Sequence, residues 1–170
     1  MARTWEITAE ELTEESFAPY GRIVAVPETP APRSGEGWAC WYGFAQLDNS
    51  LPINMGVVVS RVRPVVVEDM ERHVHTFELL YPHGDDLVQP LALPLDLENP
   101  DAAPDPATVK AFRIPVGKAI IMHPGTWHSC AIPVARDTTY GFACGEPDYD
   151  YVPDWVPFPE GDTVRVTVAQ

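Results

Sequence analysis

Glu71-Arg72-His73-Val74-His75-Thr76-Phe77-Glu78 is answered far along the chain by His123-Pro124-Gly125-Thr126-Trp127-His128, and the reading of these two stretches decides the fold. Together they hold four of the five histidines, and both read as extended backbone. Residues two apart on a strand share a face, so a regular strand points Glu71, His73 and His75 the same way. Glu78 breaks the parity with His73 and joins that cluster only across a bulge or a bend. Three polar groups on one face are costly to bury unless they bind each other, a metal or a substrate, whereas Val74 and Phe77 suit packing. In the second stretch, Pro124-Gly125 makes a turn that lets the backbone approach closely.

The flanking sequence reads as the scaffold that brings the two stretches together. Arg22 to Val26, Trp38 to Phe44, Ile53 to Arg63, Leu87 to Leu93, Val109 to Ile114, Ala119 to Met122 and Thr138 to Cys144 are apolar or β-branched runs of strand length. Nineteen prolines and eleven glycines punctuate them. Trp38 to Phe44 and Ile53 to Arg63 are expected in the sheet interior. The turn Pro82-His83-Gly84-Asp85-Asp86 is expected to close a hairpin between Leu79-Leu80-Tyr81 and Leu87 to Leu93, with His83 on the surface and the two aspartates solvating the turn. Pro27 to Gly37 and Asp96 to Pro106 are expected as surface loops. The clearest helix signals come early, where Thr8-Ala9-Glu10-Glu11 has capping-box spacing and Thr13 offers a second N-cap before Pro19 and Gly21. The expectation is one all-β domain over 1–170, with 1–21 a short N-terminal helical extension and 149–170 an aromatic and proline-rich C-terminal strap. About ten short strands with turns every eight to twelve residues suit a sandwich, jelly roll or small barrel.

With a net charge of −14 and a pI near 4.5, the chain lacks the Lys and Arg clusters that bind nucleic acid or anionic lipid, so neither is expected as a partner. A small molecule fits better. Cys40, Cys130 and Cys144 form no CxxC pair and leave one thiol over in any disulfide scheme, which suits a reducing, cytoplasmic compartment. No apolar run approaches the ~18 residues of a membrane span. Open sheets leave edge strands that need covering, so a homodimer is expected.

Glu71-x-His73-x4-Glu78-x5-Gly84 resembles the first cupin motif, with Glu71 where its first histidine stands, and Gly117-x5-His123-x-Gly125-x2-His128 resembles the second, with His123 in the usual proline position. Phe17-Ala18-Pro19-Tyr20-Gly21, Met70-Glu71-Arg72-His73, and His123-x-Gly125-x-Trp127-His128 with Pro133 beyond are similar to landmarks of the ureidoglycolate lyase family. Two departures stand out. That family usually continues from the histidine through Pro-Leu-Gly-Ser-Gln, which puts Glu78 at the glutamine position, and it usually carries a further histidine where Ser129 stands here.

The resemblance implies a cupin-type jelly roll, a double-stranded β-helix barrel. It also implies a divalent metal (Fe, Mn, Ni or Zn) held by His73, Glu78 and His128, with Glu71 or His75 completing the set. The family's reaction would release urea from a ureido-substituted hydroxy acid and leave glyoxylate. That chemistry needs a base for the hydroxyl proton, an acid for the departing nitrogen and a cation for the carboxylate. His123 or His75 would move the proton, with Glu71 a further catalytic candidate. Arg61, Arg63 or Arg72 would clamp the carboxylate, since arginine matches it with two parallel hydrogen bonds. A solvated surface charge is the competing reading for each arginine. Trp127 would line the substrate pocket or the core. The same fold also suits a metal-dependent oxygenase or isomerase, and a non-catalytic cupin that binds a small acid.

Overall fold

Alternation of apolar side chains along short strands builds two facing five-stranded sheets and a smaller three-stranded one in the computed structural model, which describes residues 1–44, 51–99, 101–145 and 155–169. The first sheet runs Gly21–Val24, Ala119–Met122, Glu78–Pro82, Thr138–Gly145, Ile53–Ser60, with every neighbouring pair antiparallel. The second runs Trp127–His128, Leu87–Ala92, Lys110–Ile114, Glu10–Glu11, and Ile132–Pro133 also pairs with Leu87–Ala92. Between them lies the main core, with Leu80, Ile120 and Met122 from the first sheet against Leu87, Leu91 and Phe112 from the second. This all-β jelly roll is the cupin-type fold implied by the motifs.

The third sheet explains why Leu87–Ala92 is buried at all six positions. Thr4–Thr8 pairs in parallel with Thr163–Thr167, which pairs antiparallel with Val65–Val67. This layer covers the far face of the second sheet, packing Val65 and Val166 against Val88, Ala111 and Ile132. A strand covered on both faces loses the polar half of its alternation and reads as a short continuous apolar run.

Four expectations need correction. Residues 1–21 are not mainly helical: Thr8 ends a strand instead of capping a helix, because Trp5 and Ile7 pack into a core beneath the third sheet. The helix is only Glu14–Phe17, with Thr13 and Ser16 forming the capping box. The described part of the C-terminal strap is sheet, since Val156–Pro157 pairs with Asp69–Met70 and Thr163–Thr167 is the middle strand of its layer; 149–154 lie outside the described residues. Neither run expected in the sheet interior is there. Trp38–Cys40 forms an exposed hairpin with Arg33–Gly35, and Ile53–Ser60 is an edge strand with Met55, Val57 and Val59 exposed. Finally, Glu78–Pro82 and Leu87–Ala92 are not a hairpin but belong to different sheets.

The turn between those last two strands is where the chain crosses over, and its aspartates do more than meet solvent. Asp85 accepts from the backbone N–H of Ala135 and Arg136 at 2.7 and 2.9 Å. Asp86 accepts from Val116 N–H and Arg113 Nε, both at 2.9 Å. Burial alone would push the Asp85 carboxyl up, yet backbone N–H groups of Ala135, Arg136 and Asp86 hold it below the ordinary range. His83 is exposed as expected, its Nδ1 2.8 Å from Thr139 Oγ1. Among the described residues no helix is long and apolar enough to cross a membrane.

Candidate active site between the two sheets

The stretch from 71 to 78 is not one strand. Glu71 makes an isolated antiparallel bridge with His128, the chain turns through 74–76, and it rejoins a sheet at Glu78. Thr76 Oγ1 steadies the turn by accepting from Gly145 N–H at 2.8 Å. The turn resets the parity: Glu78 rejoins the side of Glu71 and His73, while His75 is thrown outward and exposed.

Backbone hydrogen bonds clip the second stretch to the first. Glu71 N–H donates to the His128 carbonyl and His128 N–H to the Glu71 carbonyl, both at 2.9 Å, and Gly125 N–H donates to the His73 carbonyl at 2.7 Å. Gly125 has φ +80, so any other residue is strained there, and its Cβ would have to push the end of the Leu97 side chain aside. The Phe17-to-Gly21 landmark buttresses this turn. Tyr20's carbonyl accepts from His123 N–H at 2.8 Å and from Thr126 Oγ1 at 3.2 Å.

The result is a cavity of about 260 Å³ lined by Glu71, His73, Glu78 and His128 together with Gln89 and Tyr140. Glu78 Oε2 lies 3.1 Å from His73 Nε2 and 3.0 Å from His128 Nε2, and Glu71 Oε1 is 3.6 Å from the latter. One ligand-type atom from each of Glu71, His73 and His128 falls within 4.8 Å of the others.

These groups shape each other's charge. Burial would push Glu78 up, but the His128 charge 3.0 Å away and the hydrogen bond of His73 hold it well below the carboxylate range. Burial would push His128 down, and the Glu78 carboxylate, helped by Glu71 and the Thr126 carbonyl, raises it instead. The metal-free pair is therefore an imidazolium against a carboxylate at neutral pH.

A divalent ion fits this donor set. His128 Nδ1 lies 3.1 Å from the Thr126 carbonyl, which accepts a hydrogen bond from Nδ1–H and so fixes the tautomer that leaves Nε2 free to ligate. That Nε2 is buried and lacks hydrogen-bond geometry to any group among the described residues. Two imidazoles and two carboxylates are the ligands that Fe(II), Mn(II), Ni(II) and Zn(II) take.

Several expected site residues lie elsewhere. His75 is exposed on the turn and stands off the cavity wall, away from Glu71, His73, Glu78 and His128. His123 is exposed and off the cavity wall, because its backbone is tied to Tyr20 and its imidazole is left on the outer side of the turn. Arg72 is committed to the loop between Leu87–Ala92 and Lys110–Ile114, donating to the Asp96 and Asn99 carbonyls at 2.9 and 2.7 Å. Its guanidinium stands 4.6 Å from the Trp127 ring, and Trp127 is buried in the core beneath the third sheet rather than in the cavity. Arg61 is exposed and lines neither the cavity nor the hollow that adjoins it. Arg63 differs. It lines an adjoining hollow of about 260 Å³ that shares Ser129 and Cys130 with the cavity.

Sequence reasoning did not single out Gln89 or Tyr140, and it set Cys144 among scaffold strands although all three line the cavity. For Gln89 a signal existed: one amide inside the otherwise apolar Leu87–Ala92 strand.

Residues 4–150 match the family model described as ureidoglycolate lyase. No curated protein matches the chain. Among solved structures, RmlC from Streptococcus suis in complex with dTDP-D-xylose is 14% identical, covering 59% of this chain and 46% of that chain at a TM-score of 0.42. The dTDP-4-dehydrorhamnose 3,5-epimerase from Sulfolobus tokodaii is 13% identical, covering 72% and 68% respectively at a TM-score of 0.36. The chain thus spans less than half the length of the first of these two structures.

Proposed function

Because the chain belongs to the ureidoglycolate lyase family, we propose that it is a carbon–nitrogen lyase that cleaves a ureido-substituted hydroxy acid to urea and glyoxylate. The observation that carries this reading is the convergence of Glu71, His73, Glu78 and His128 on one small cavity. His73, His128 and Glu78 are the residues that would hold a divalent ion, which would supply Lewis-acid polarisation of the substrate oxygens. Glu71, the carboxylate farther from His128 Nε2 at 3.6 Å against 3.0 Å for Glu78, is assigned the proton transfer.

Elimination balances with that single group. Glu71 takes the hydroxyl proton, the carbon–oxygen bond becomes the aldehyde carbonyl, and the carbon–nitrogen bond breaks with its electron pair on nitrogen. The proton then returns to nitrogen and completes urea. Arg63 is assigned the substrate carboxylate, supported by the wall its hollow shares with the cavity. The proposed setting is the cytoplasm, supported by three free thiols. The proposed assembly is a homodimer through the Ile53–Ser60 edge, which bears no charged residue in a chain of net charge −14.

The test is urea release from ureidoglycolate, with Glu71→Gln beside the wild type. The wild type should release urea, and the variant should lose about 10²- to 10⁴-fold in kcat with its fold intact. No release by metal-loaded wild type, or full activity in the variant, would reject the reading.

A further inference from the structure

We propose that Gln89 is the specificity residue of this cavity and that it selects substrates presenting an N–H donor, as a ureido group does. Gln89 is 1% exposed and sits between Leu87 and Leu91 on the inner face of a strand whose other inward residues are core. A primary amide at such a place is costly unless its polar atoms are used. Half of it is. Nε2 donates to the Ser129 carbonyl at 2.6 Å and to the Pro90 carbonyl at 3.0 Å.

Those two bonds also decide which way the amide faces. Both neighbours are acceptors, so turning the amide over would set oxygen against two carbonyl oxygens. The orientation is therefore fixed, and Oε1 is the end left for the cavity that Gln89 lines, with no partner among the described residues. A carbonyl oxygen held this way accepts and cannot donate. It rewards an N–H on the ligand and leaves itself unpaired against a ligand carrying CH₂ or CH₃ there. A site built to bond a donor discriminates strongly against the analogue that lacks it. Glu78 on the same wall does not supply this selection, because its carboxylate is shared between two imidazoles, and Glu71 is assigned to the substrate hydroxyl.

The inference rests on the lyase reading for its choice of ligand, and its test needs no turnover. N-carbamoylglycine and 4-oxopentanoate have the same number of heavy atoms and both carry a carboxylate and a carbonyl at the same distance from it, but only the first carries N–H. Binding of each to the metal-loaded wild type and to Gln89→Met is measured by calorimetry. The wild type should prefer N-carbamoylglycine by roughly tenfold or more, and Gln89→Met should bring the two within about threefold by weakening that ligand alone. Equal affinities in the wild type would overturn the proposal, as would a preference that survives in a variant with wild-type melting behaviour. Should the variant fold poorly, the wild-type complex with N-carbamoylglycine decides. A ligand N–H within hydrogen-bond distance of Gln89 Oε1 is expected there, and an N–H turned to another group overturns the proposal. Failure of wild-type urea release would count against the lyase reading alone, whereas loss of the N–H preference counts against Gln89 alone.

Discussion

His128 holds its proton against burial because Glu78 lies 3.0 Å away, and that contest makes metal binding and pH one question at the scale of the residue. A raised histidine stabilises the fold fully below its unfolded value near 6.5 and loses that contribution as pH climbs through the raised one. A depressed carboxylate contributes above its unfolded value near 4.3 and loses the contribution as pH falls through the lowered one. Both contributions are therefore complete only between about pH 4.5 and 6.5. Above that window the metal-free wild type should lose stability that Glu78→Gln never had, so the melting temperatures of the two should converge toward alkaline pH. Parallel curves would contradict the pairing. A divalent ion must displace the His128 proton, so at pH 7 binding should release about one proton, measurable by calorimetry in two buffers of different ionisation enthalpy.

At the scale of the element, strands were readable and their partners were not. Ala119–Met122 and Lys110–Ile114 follow from apolar runs bounded by turn residues, which is local information. Whether Glu78–Pro82 pairs with Leu87–Ala92 depends on contacts from distant strands, and the short turn between them looks the same for a hairpin and for a crossover. The turn through 74–76 was hidden because Val74, Thr76 and Phe77 carry strand propensity; only the broken parity of Glu78 hinted at it. Gln89 was legible only as the one amide in an otherwise apolar strand. Two substitutions test the turns. Gly125→Ala forces φ +80 on an alanine and meets Leu97, so it should destabilise by about 1–3 kcal/mol and lower metal affinity through His128. Asp85→Asn keeps the shape but weakens two charge-assisted hydrogen bonds, so a loss of about 1 kcal/mol is expected by denaturant titration, with metal affinity unchanged.

Across the whole molecule, the layering sorts the sequence's functional signals from its structural ones. Trp127 and Arg72 sit behind the second sheet, Phe17 and Tyr20 prop the turn that aims His128, and the reactive groups meet only between the two large sheets. The outer side of the first sheet is the exception to good burial, with Met55 75% and Val59 74% exposed on an edge strand. Uncharged edges of this length are ordinarily covered. Light scattering should give a dimer, and Val57→Lys should yield a monomer with its cavity intact; a monomeric wild type would remove the dimer from the account.

The claim on which the rest stands is that His73 and His128, brought from separate stretches, serve one centre. Urea release by His73→Ala, His128→Ala and the double variant tests it most directly. Groups that act as a unit are strongly non-additive, so each single change should remove nearly all activity and the double change should cost little more. Losses that multiply, or a single variant that keeps wild-type kcat/KM, would contradict it.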